Sequence, residues 1–215
     1  IAINGFGRIG RNLFRLLLNH PTIEVVAIND IADNKTMAHL VKYDSIHGVL
    51  NHKVSFSDDS IIIDEKSFLF FHEREIKNLD WKSVNVDIVI ESTGKFKTFE
   101  DINQHILKKE KKVILSAPSE VDEIKTVVLG VNEHILDGSE TIISNASCTT
   151  NNAAPMIKII QEFCEVEQAY ITTIHSYTTD QSLHDQPHKD LRRARGAAQS
   201  IVPTTTGAAK ALTKI

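Results

Sequence analysis

Short β-branched apolar runs alternate along this chain with longer stretches in which apolar residues recur at helical spacing. The runs predict buried strands, and the spaced stretches predict amphipathic helices between them. The predicted strands of the first part of the chain are residues 1–3, 25–28, 87–90, 113–115, 127–131 and 141–143. Helices are predicted after the first two strands, within residues 9–17 and 36–44. This order is typical of an α/β fold with a parallel sheet.

Three short β-rich segments interrupt the alternation, at residues 54–56, 61–63 and 68–71. They predict an antiparallel meander inserted in the parallel sheet. Trp81 follows the meander, and its simplest interpretation is a packing residue.

A glycine-rich turn, G-F-G-R-I-G from Gly5 to Gly10, follows the first predicted strand and opens the first predicted helix. Asp30 lies 20 residues beyond Gly10, at the tip of the second predicted strand. Together these features form the dinucleotide-binding fingerprint. Gly5 would permit the tight turn, Gly7 the approach of a pyrophosphate, and Gly10 the close packing of helix and strand. The alternative is that the glycines only shape a turn in another kind of α/β protein.

The cofactor implied by this fingerprint is NAD. Free N–H groups at the start of the helix would bind its phosphates. The Asp30 carboxylate would accept hydrogen bonds from ribose hydroxyls and would repel a 2′-phosphate, which favours NAD over NADP. Thr93–Gly94 and Ser116 also follow predicted strands, where they are either cofactor contacts or ordinary turn residues. We therefore predict a Rossmann-type NAD-binding domain over residues 1–147.

The segment Ser144–Asn152, S-N-A-S-C-T-T-N-N, separates a β-branched run from an amphipathic stretch. A strand, a tight polar turn and a helix can expose and activate the thiol of Cys148. Pro155 leaves the start of this helix open, because proline suits a first turn but would kink a helix that began at Cys148. Cys164 lies on the apolar face of the helix and is expected to be buried. A second, catalytic domain is predicted over residues 148–215.

A further predicted strand, residues 169–174, ends at His175. A helix N-terminus and a nearby imidazole lower the pKa of a thiol to roughly 3.5–7.5. Beside NAD, a thiolate of Cys148 suggests aldehyde oxidation: addition to the carbonyl gives a hemithioacetal, and His175 takes its hydroxyl proton as hydride leaves for the nicotinamide. The product would be a thioester on Cys148.

The long polar segment 176–200 is of a kind that is usually functional or at an interface. It carries four cations: Lys189, Arg192, Arg193 and Arg195. The stretch 203–207, P-T-T-T-G, precedes the last predicted helix. These threonine and arginine groups favour an anionic substrate and phosphate as the second nucleophile.

Composition excludes several classes of function. The net charge of −4 indicates no nucleic-acid or membrane partner, and two cysteines make neither a disulfide framework nor a metal site. A reducing, cytoplasmic setting is expected. The charged run Lys108–Lys112 is predicted to be a solvated helix end. The chain begins inside a strand pattern and ends inside a helix pattern, so we expect it to be part of something longer.

Five stretches, taken in chain order, resemble the glyceraldehyde-3-phosphate dehydrogenase family. They are G-F-G-R-I-G-R from Gly5, S-N-A-S-C-T-T-N from Ser144, H-S-Y-T from His175, P-H-K-D-L-R-R-A-R from Pro187 and P-T-T-T-G-A-A-K from Pro203. The resemblance implies a phosphorylating, NAD-dependent enzyme of glycolysis, normally a homotetramer. Its partners would be glyceraldehyde 3-phosphate and inorganic phosphate. The implied fold is a Rossmann-type domain followed by an α+β catalytic domain, of which only the first part is present.

The resemblance also implies roles for individual positions. The nucleophile would be Cys148 and its base His175, with the helix beginning at Cys148. Residues implied to contact NAD, besides the three glycines, are Arg8, Ile9, Asp30, Arg74 and Ser116. Residues implied to hold substrate and phosphate are Ser147, Thr149, Thr178, Asp180, Arg195, Thr206 and Gly207.

This chain differs from the family pattern at three points, one of which is Thr179, where many members have asparagine. Asn152 stands where many members have a second cysteine, and the family continues well past Ile215. If the 215 residues were the whole protein, we would expect an incomplete second domain with little activity. The alternatives are an erythrose-4-phosphate dehydrogenase and a non-catalytic NAD-binding fragment. A cysteine hydrolase ranks last, since it leaves Asp30 and the glycine turn without a role.

Overall fold

The structure is a computed structural model that describes residues 1–106, 112–119 and 121–215. It divides into two compact units, Ile1–Ser147 and Cys148–Ile215. Of the predicted charged helix end, Lys108 to Lys111 lie outside the described residues, and Lys112 begins a strand. No helix in the described ranges is long and apolar enough to cross a membrane.

The first unit contains three helices and eleven strands within its described residues. In chain order these are β1 (Ala2–Asn4), α1 (Arg8–Leu17), β2 (Ala27–Asn29), α2 (Asn34–Lys42), β3 (Tyr43–Asp44), β4 (Gly48–Val49), β5 (Val54–Phe56), β6 (Ser60–Ile63), β7 (Lys66–Phe71), β8 (Ile88–Glu91), α3 (Phe99–Ile106), β9 (Lys112–Leu115), β10 (Lys125–Thr126) and β11 (Ile142–Ser144). Short 3-10 turns lie at Ile76–Asn78, Trp81–Val84 and Glu133–Ile135.

Nine of these strands form one sheet in the order β10-β11-β9-β8-β1-β2-β7-β6-β5, and β3 and β4 form a separate hairpin. All neighbours from β10 to β7 are parallel, whereas β7, β6 and β5 pair antiparallel. The predicted α/β fold and the inserted meander are confirmed. Chain order reverses at β1, whose neighbours are β2 and β8. Ligands of such sheets bind where the order reverses, beyond the carboxyl ends of the strands.

Two apolar cores cover the two faces of this sheet. Successive residues of a strand point to opposite faces, and so Ala2 belongs to one core while Ile3 belongs to the other. The core that contains Ile3 also takes Phe14 from α1 and Met37 from α2. Trp81 is fully buried in the opposite core, as predicted for a packing residue.

The predicted strand 127–131 is wrong. The strand β10 ends at Thr126, and the chain turns over the residues that follow. The N–H of Val128 donates to the side-chain oxygen of Asn132 at 2.8 Å, and Gly130 adopts a positive φ of 81°. A side-chain acceptor and a left-handed glycine therefore replace the strand partner that the apolar run suggested.

The second unit contains two helices in its described residues, α4 (Cys148–Phe163) and α5 (Ala208–Leu212), which pack against each other. The helix α4 begins at Cys148 and continues through Pro155. The start that the residue pattern left open is therefore at the cysteine, as the resemblance implied.

Residues 169–174 are not a strand, contrary to the prediction. Tyr170 is 90% exposed and Ile174 is 94% exposed. Among the described residues of this unit, β-type pairing is limited to one bridge between Ser182 and Gly196. A β-branched run becomes a strand only where a second strand accepts and donates its backbone hydrogen bonds.

Cys164 is exposed, so the expectation that it is buried is wrong. It follows the last residue of α4, and its N–H donates to the carbonyl oxygen of Ile160 at 2.9 Å. Phe163 beside it is 85% exposed. The apolar face of α4 is therefore open at this end of the unit.

Candidate functional site

The glycine turn of the first unit joins β1 to α1 with two positions at which a side chain does not fit. Gly5 has a φ of 92°, and a Cβ there would lie 2.5 Å from the backbone nitrogen of Thr93. A Cβ on Gly10 would lie 2.2 Å from the carbonyl oxygen of Gly5. By contrast, a Cβ on Gly7 would have no atom within 4 Å. The turn is therefore packed against backbone atoms at Gly5 and Gly10, whereas the space beside Gly7 is unoccupied by protein atoms.

Gly7 caps α1 without a side-chain hydrogen bond to the helix. The first N–H groups of a helix have no partner inside it and attract anions, especially phosphates. Asp30 is fixed by backbone donors, because its carboxylate accepts from the N–H of Phe6 at 2.7 Å and from that of Ala32 at 3.1 Å. The carboxylate is thus held at the end of β2 in one orientation.

A cavity of about 290 Å³ lies at the carboxyl ends of β1, β2 and β8. Its walls come from the residues that end or follow these strands and from two nearby turns: Asn4, Gly5, Gly7, Asn29, Asp30, Ile31, Glu73, Arg74, Ile76, Leu79, Ser92, Thr93, Lys95 and Phe96. Four residues predicted to contact NAD, Gly5, Gly7, Asp30 and Arg74, therefore line one cavity. Arg8, Ile9, Gly10 and Ser116 are not among its lining residues.

The side chain of Arg8 is held by Asp44, which follows α2. Its two terminal nitrogens donate to the Asp44 carboxylate at 2.5 to 3.0 Å. Burial by itself would raise the pKa of Asp44, but the N–H groups of His47 and Ile46 and the Arg8 guanidinium lower that pKa to about 2. Arg8 is therefore ion-paired at the start of α1.

The other three predicted NAD residues occupy different surroundings. Ile9 is 54% exposed on the first turn of α1, and Gly10 is buried against the turn beneath it. Ser116 follows β9, where its N–H donates to the carbonyl oxygen of Glu91 at 2.9 Å.

Sequence reasoning missed Asn4 and Asn29, which line the cavity and are buried. Each is the last residue of an apolar strand. A polar residue that closes a buried strand next to the glycine turn is a signal that could have identified both of them.

These features fit a dinucleotide. The space beside Gly7 leaves room for phosphates at helix N–H groups that no side chain caps. The Asp30 carboxylate keeps lone pairs for hydroxyl donors beyond its two backbone bonds. An anion at this position disfavours a further phosphate group on the ribose.

In the second unit, the thiol and the imidazole singled out by the sequence are in contact. The Sγ of Cys148 lies 3.2 Å from the Nε2 of His175. The Nδ1 of His175 lies 2.6 Å from the carbonyl oxygen of Ser176. A carbonyl only accepts, so Nδ1 carries a proton and donates it there. The Nε2 atom is then free to take the thiol proton.

Both pKa values shift in the direction that favours a thiolate and an imidazolium. The hydrogen bond from His175 is the largest effect that lowers the pKa of Cys148, followed by the charge of His175 and by hydrogen bonds from Thr149. The carbonyl of Ser176 is the first cause of the raised pKa of His175, and the Cys148 thiolate adds to it. The thiol lies on the first residue of α4, where helix N–H groups face an anion.

The residues predicted to hold substrate and phosphate have the following surroundings. Thr149 adjoins the thiol, and Ser147 is half-buried at the end of the first unit. The hydroxyl of Thr178 donates to the side chain of Gln181 at 3.1 Å. The hydroxyl of Thr206 accepts from the N–H of Ala208 at 3.2 Å. These bonds leave the Thr178 and Thr206 oxygens with further lone pairs or protons to share.

The three arginines of the polar segment are each paired with a carboxylate of the same segment. Arg193 contacts Asp180, and Arg192 donates to Asp190 at 2.8 Å. Arg195 donates to Asp185 at 3.2 Å, in a pair whose side chains are 73% and 67% exposed. Gly207 is the N-cap of α5. The two exposed partners of the Arg195 pair separate easily, because a surface ion pair is weak.

Comparison with known families matches both units. Residues 1–99 match the family described as glyceraldehyde 3-phosphate dehydrogenase, NAD binding domain. Residues 147–215 match the family described as glyceraldehyde 3-phosphate dehydrogenase, C-terminal domain.

Curated relatives carry the same description. The chain is 52% identical over 213 residues to a glyceraldehyde-3-phosphate dehydrogenase of Geobacillus stearothermophilus, covering 99% of this chain and 63% of the relative. It is 52% identical over 214 residues to that of Thermotoga maritima, covering 99% and 64%. For glyceraldehyde-3-phosphate dehydrogenase 1 of Bacillus subtilis the identity is 48% over 216 residues, covering 100% and 64%. The chain thus spans a little under two thirds of the length of these relatives.

Proposed function

Because the chain belongs to the glyceraldehyde-3-phosphate dehydrogenase family, we propose that the whole protein oxidises D-glyceraldehyde 3-phosphate to 1,3-bisphosphoglycerate with NAD and inorganic phosphate. In this proposal residues 1–147 bind NAD and residues 148–215 belong to the catalytic domain. The observation that carries it is the contact of 3.2 Å between the Cys148 thiol and the His175 imidazole at the start of α4.

The chemistry begins with the proton shared by these two side chains. Transfer from Sγ to Nε2 leaves a thiolate beside an imidazolium whose Nδ1–H is already bonded to Ser176. The thiolate attacks the carbonyl carbon of the aldehyde, and the imidazolium returns the proton to the carbonyl oxygen. The product is a hemithioacetal on Cys148 beside a neutral His175.

The same imidazole serves the oxidation step. His175 accepts the hydroxyl proton of the hemithioacetal at Nε2, so the electron pair of the O–H bond can form the carbonyl of a thioester. Bound NAD supplies the acceptor for the departing hydride. Phosphate then attacks the thioester carbonyl, and the thiolate of Cys148 leaves next to an imidazolium, which restores the starting state.

NAD would be held by the cavity at the strand ends. The start of α1 at Gly7, which no side chain caps, would face its phosphates together with Arg8 and Ile9. Asp30 would accept from ribose hydroxyls, and Arg74 lines the same cavity. Gly5 and Gly10 make the turn possible, and Ser116 is the remaining proposed contact.

The two anionic groups, the substrate phosphate and inorganic phosphate, would be bound by hydroxyls, N–H groups and a cation. We assign to them Ser147, Thr149, Thr178, Asp180, Arg195, Thr206 and Gly207. Thr149 has the clearest support, because its N–H and hydroxyl form hydrogen bonds that lower the pKa of Cys148. Family membership supports a homotetramer, and two free cysteines agree with a reducing cytoplasmic setting.

The test is an assay of the whole protein with NAD, in which formation of reduced dinucleotide is followed. Glyceraldehyde 3-phosphate and erythrose 4-phosphate are compared, each with and without inorganic phosphate. We expect turnover that prefers the three-carbon aldehyde and requires phosphate. Phosphate-independent turnover that prefers the four-carbon aldehyde would establish the related erythrose enzyme instead. Binding of NAD without turnover of either aldehyde would support a non-catalytic role.

A further inference from the structure

A chain of buried polar side chains lies directly beneath the nucleotide cavity of the first unit. It runs from Asn29 at the end of β2, through Asn4 at the end of β1 and Glu91 at the end of β8, to His105 on α3 and Trp81. All five are buried, and Glu91, His105 and Trp81 are fully buried. Burial of this many polar groups is costly unless every one of them is bonded.

The donor at one end of the chain sets the direction of the next bonds. The indole N–H of Trp81 can only donate, and it lies 3.1 Å from the Nδ1 of His105. Nδ1 is therefore an acceptor, which places the ring proton on Nε2. That Nε2–H donates to the Oε2 of Glu91 at 3.3 Å. His105 is thus a neutral imidazole that accepts a hydrogen bond from Trp81 and donates one to Glu91.

The other end points toward the same carboxylate. The amide nitrogen of Asn29 donates to the Oδ1 of Asn4 at 2.7 Å and to the carbonyl oxygen of Glu73. The Oδ1 of Asn29 accepts from the N–H of Glu73 at 2.8 Å. Since Oδ1 of Asn4 is an acceptor, its amide nitrogen is the donor, and it reaches Oε2 of Glu91 at 2.5 Å.

The second oxygen of Glu91 binds the loop that follows β8. Its Oε1 accepts from the backbone N–H of Thr93 at 2.9 Å and from the hydroxyl of Thr93 at 2.5 Å. Glu91 therefore accepts four hydrogen bonds and donates none, as an ionised carboxylate does. The hydrogen bonds that link the five side chains to one another are all directed toward it.

The loop held in this way is in close contact with the glycine turn. The hydroxyl of Ser92 donates to the carbonyl oxygen of Gly5 at 2.7 Å. A Cβ on Gly5 would lie 2.5 Å from the backbone nitrogen of Thr93, so the two backbones touch. A change in the position of Thr93 therefore changes the turn that would bind the phosphates.

Asn4, Asn29, Ser92 and Thr93 all line the cavity, whereas Glu91 does not. We propose that Glu91 is a positioning residue for the nucleotide, a buried acceptor that holds the amide of Asn4, through it that of Asn29, and the Thr93 loop in the arrangement that binds NAD. It would act through these residues and not by touching the ligand. This proposal rests on the NAD-binding function proposed above, and His105 and Trp81 support Glu91 from the far side.

The direct test replaces Glu91 by glutamine, which keeps its shape but turns one acceptor oxygen into a donor. Whichever way the amide is oriented, its NH₂ faces two of the four donors. We expect the Kd for NAD, measured by calorimetry on the whole protein, to rise about tenfold or more. The KM for NAD should rise with it, while kcat at saturating NAD and the KM for the aldehyde stay within about twofold. Glu65→Gln, an exposed residue in the turn between β6 and β7, is the matched control.

A second pair of variants covers the case in which Glu91→Gln does not fold. His105→Leu removes both bonds of the imidazole and is expected to raise the Kd for NAD about threefold to tenfold. His105→Gln can still accept from Trp81 through its amide oxygen and donate to Glu91 through its amide nitrogen. It should therefore restore NAD binding to within about twofold of the wild type. If His105 had only a structural role, His105→Leu and His105→Gln would show no such difference in the Kd for NAD, whatever their stability.

The outcomes separate this proposal from the proposed function. If the wild-type protein binds NAD and folded Glu91→Gln or His105→Leu binds it equally well, the positioning role of Glu91 is wrong and the function stands. If the KM for the aldehyde rises as much as that for NAD, the buried polar side chains stabilise the protein as a whole, and the positioning role of Glu91 is again wrong. A wild-type protein that binds no NAD overturns both.

Discussion

The Nε2 of His175 lies 3.2 Å from the Sγ of Cys148, and the opposite ring nitrogen is bonded to the carbonyl of Ser176. The carbonyl holds the ring in one tautomer, so the nitrogen that faces sulfur is the proton acceptor. A thiol and a base with this orientation can exchange one proton repeatedly.

Alkylation of Cys148 should report this pair directly. The pKa of Cys148 is below the ordinary thiol value. The reactive thiolate therefore persists at a lower pH than it does for a free thiol. In His175→Asn the largest lowering effect is absent, and the midpoint of the rate against pH should move upward. At neutral pH we expect roughly a tenfold slower reaction with iodoacetamide, followed by mass spectrometry of the peptide that contains Cys148.

The control for this measurement is His184→Asn, an exposed histidine of the same unit. It should leave the pH profile unchanged. Equal profiles for His175→Asn and the wild type would remove His175 as the activating group.

Two glycine variants should separate folding from ligand binding. Gly10→Ala places a Cβ 2.2 Å from the Gly5 carbonyl oxygen, so the free energy of unfolding should fall by about 2 kcal/mol or more. Gly7→Ala meets no atom within 4 Å and has an ordinary φ of −70°. Its stability should stay within about 0.5 kcal/mol.

Gly7→Ala should nevertheless weaken NAD binding by about tenfold, because its methyl group occupies space at the N–H groups that would bind phosphate. Denaturant unfolding and calorimetric titration of both variants give the two quantities. If Gly7→Ala binds NAD like the wild type, the phosphates do not approach the backbone at this position.

The Asp44 carboxylate, which is bonded to the N–H groups of His47 and Ile46 and to the Arg8 guanidinium, should contribute to stability above about pH 4. The pKa of Asp44 is about 2 in the folded protein, against an ordinary value of 3.8 for an unfolded chain. A lowered folded pKa means stability that is present above the unfolded pKa and is lost as the pH falls toward the folded one. With the Asp44 side chain 4% exposed and that of Arg8 39% exposed, we expect roughly 1–2 kcal/mol.

Asp44→Asn tests this contribution. The wild type should exceed the variant in free energy of unfolding at about pH 7, and the difference should shrink between about pH 4 and pH 2. Asp58→Asn, an exposed carboxylate, is the control. A difference between wild type and Asp44→Asn that is constant over this range would show that Asp44 is not the titrating group.

Arg195 should matter for substrate more than for stability. Its pair with Asp185 is exposed on both sides, so Arg195→Ala should change the free energy of unfolding by less than about 1 kcal/mol. If Arg195 binds inorganic phosphate, the KM for phosphate should rise severalfold in steady-state assays. Arg192→Ala, which removes a neighbouring arginine paired with Asp190, should leave that KM unchanged. Equal KM values for the two variants would exclude Arg195 from the phosphate site.

The glycine turn is the part of the fold that could be predicted most fully. Gly5, Gly10 and Asp30 act through local backbone geometry, and the strand and helix patterns around them have clear periods. The meander 54–71 was predicted for the same reason, because its three short strands lie close together in the chain and pair with their sequence neighbours.

Equally apolar runs elsewhere did not become strands. The run 127–131 turns at Gly130, with the N–H of Val128 bonded to Asn132, and the run 169–174 has no strand beside it among the described residues of its unit. A strand depends on a partner that is often far away in sequence, and apolar composition does not identify that partner.

The sequence by itself determined the α/β order of the first unit, the dinucleotide fingerprint and the choice of Cys148 and His175 as candidates. These follow from local patterns and from the chemistry of single side chains. Only the tertiary structure decided that the imidazole faces the thiol through Nε2 and that Glu91 accepts four hydrogen bonds beneath the cavity. Each of these depends on atoms brought together from distant positions, 27 residues apart for the thiol and imidazole and 87 for Asn4 and Glu91. Such contacts are set by the packing of the whole unit, because no local period encodes them.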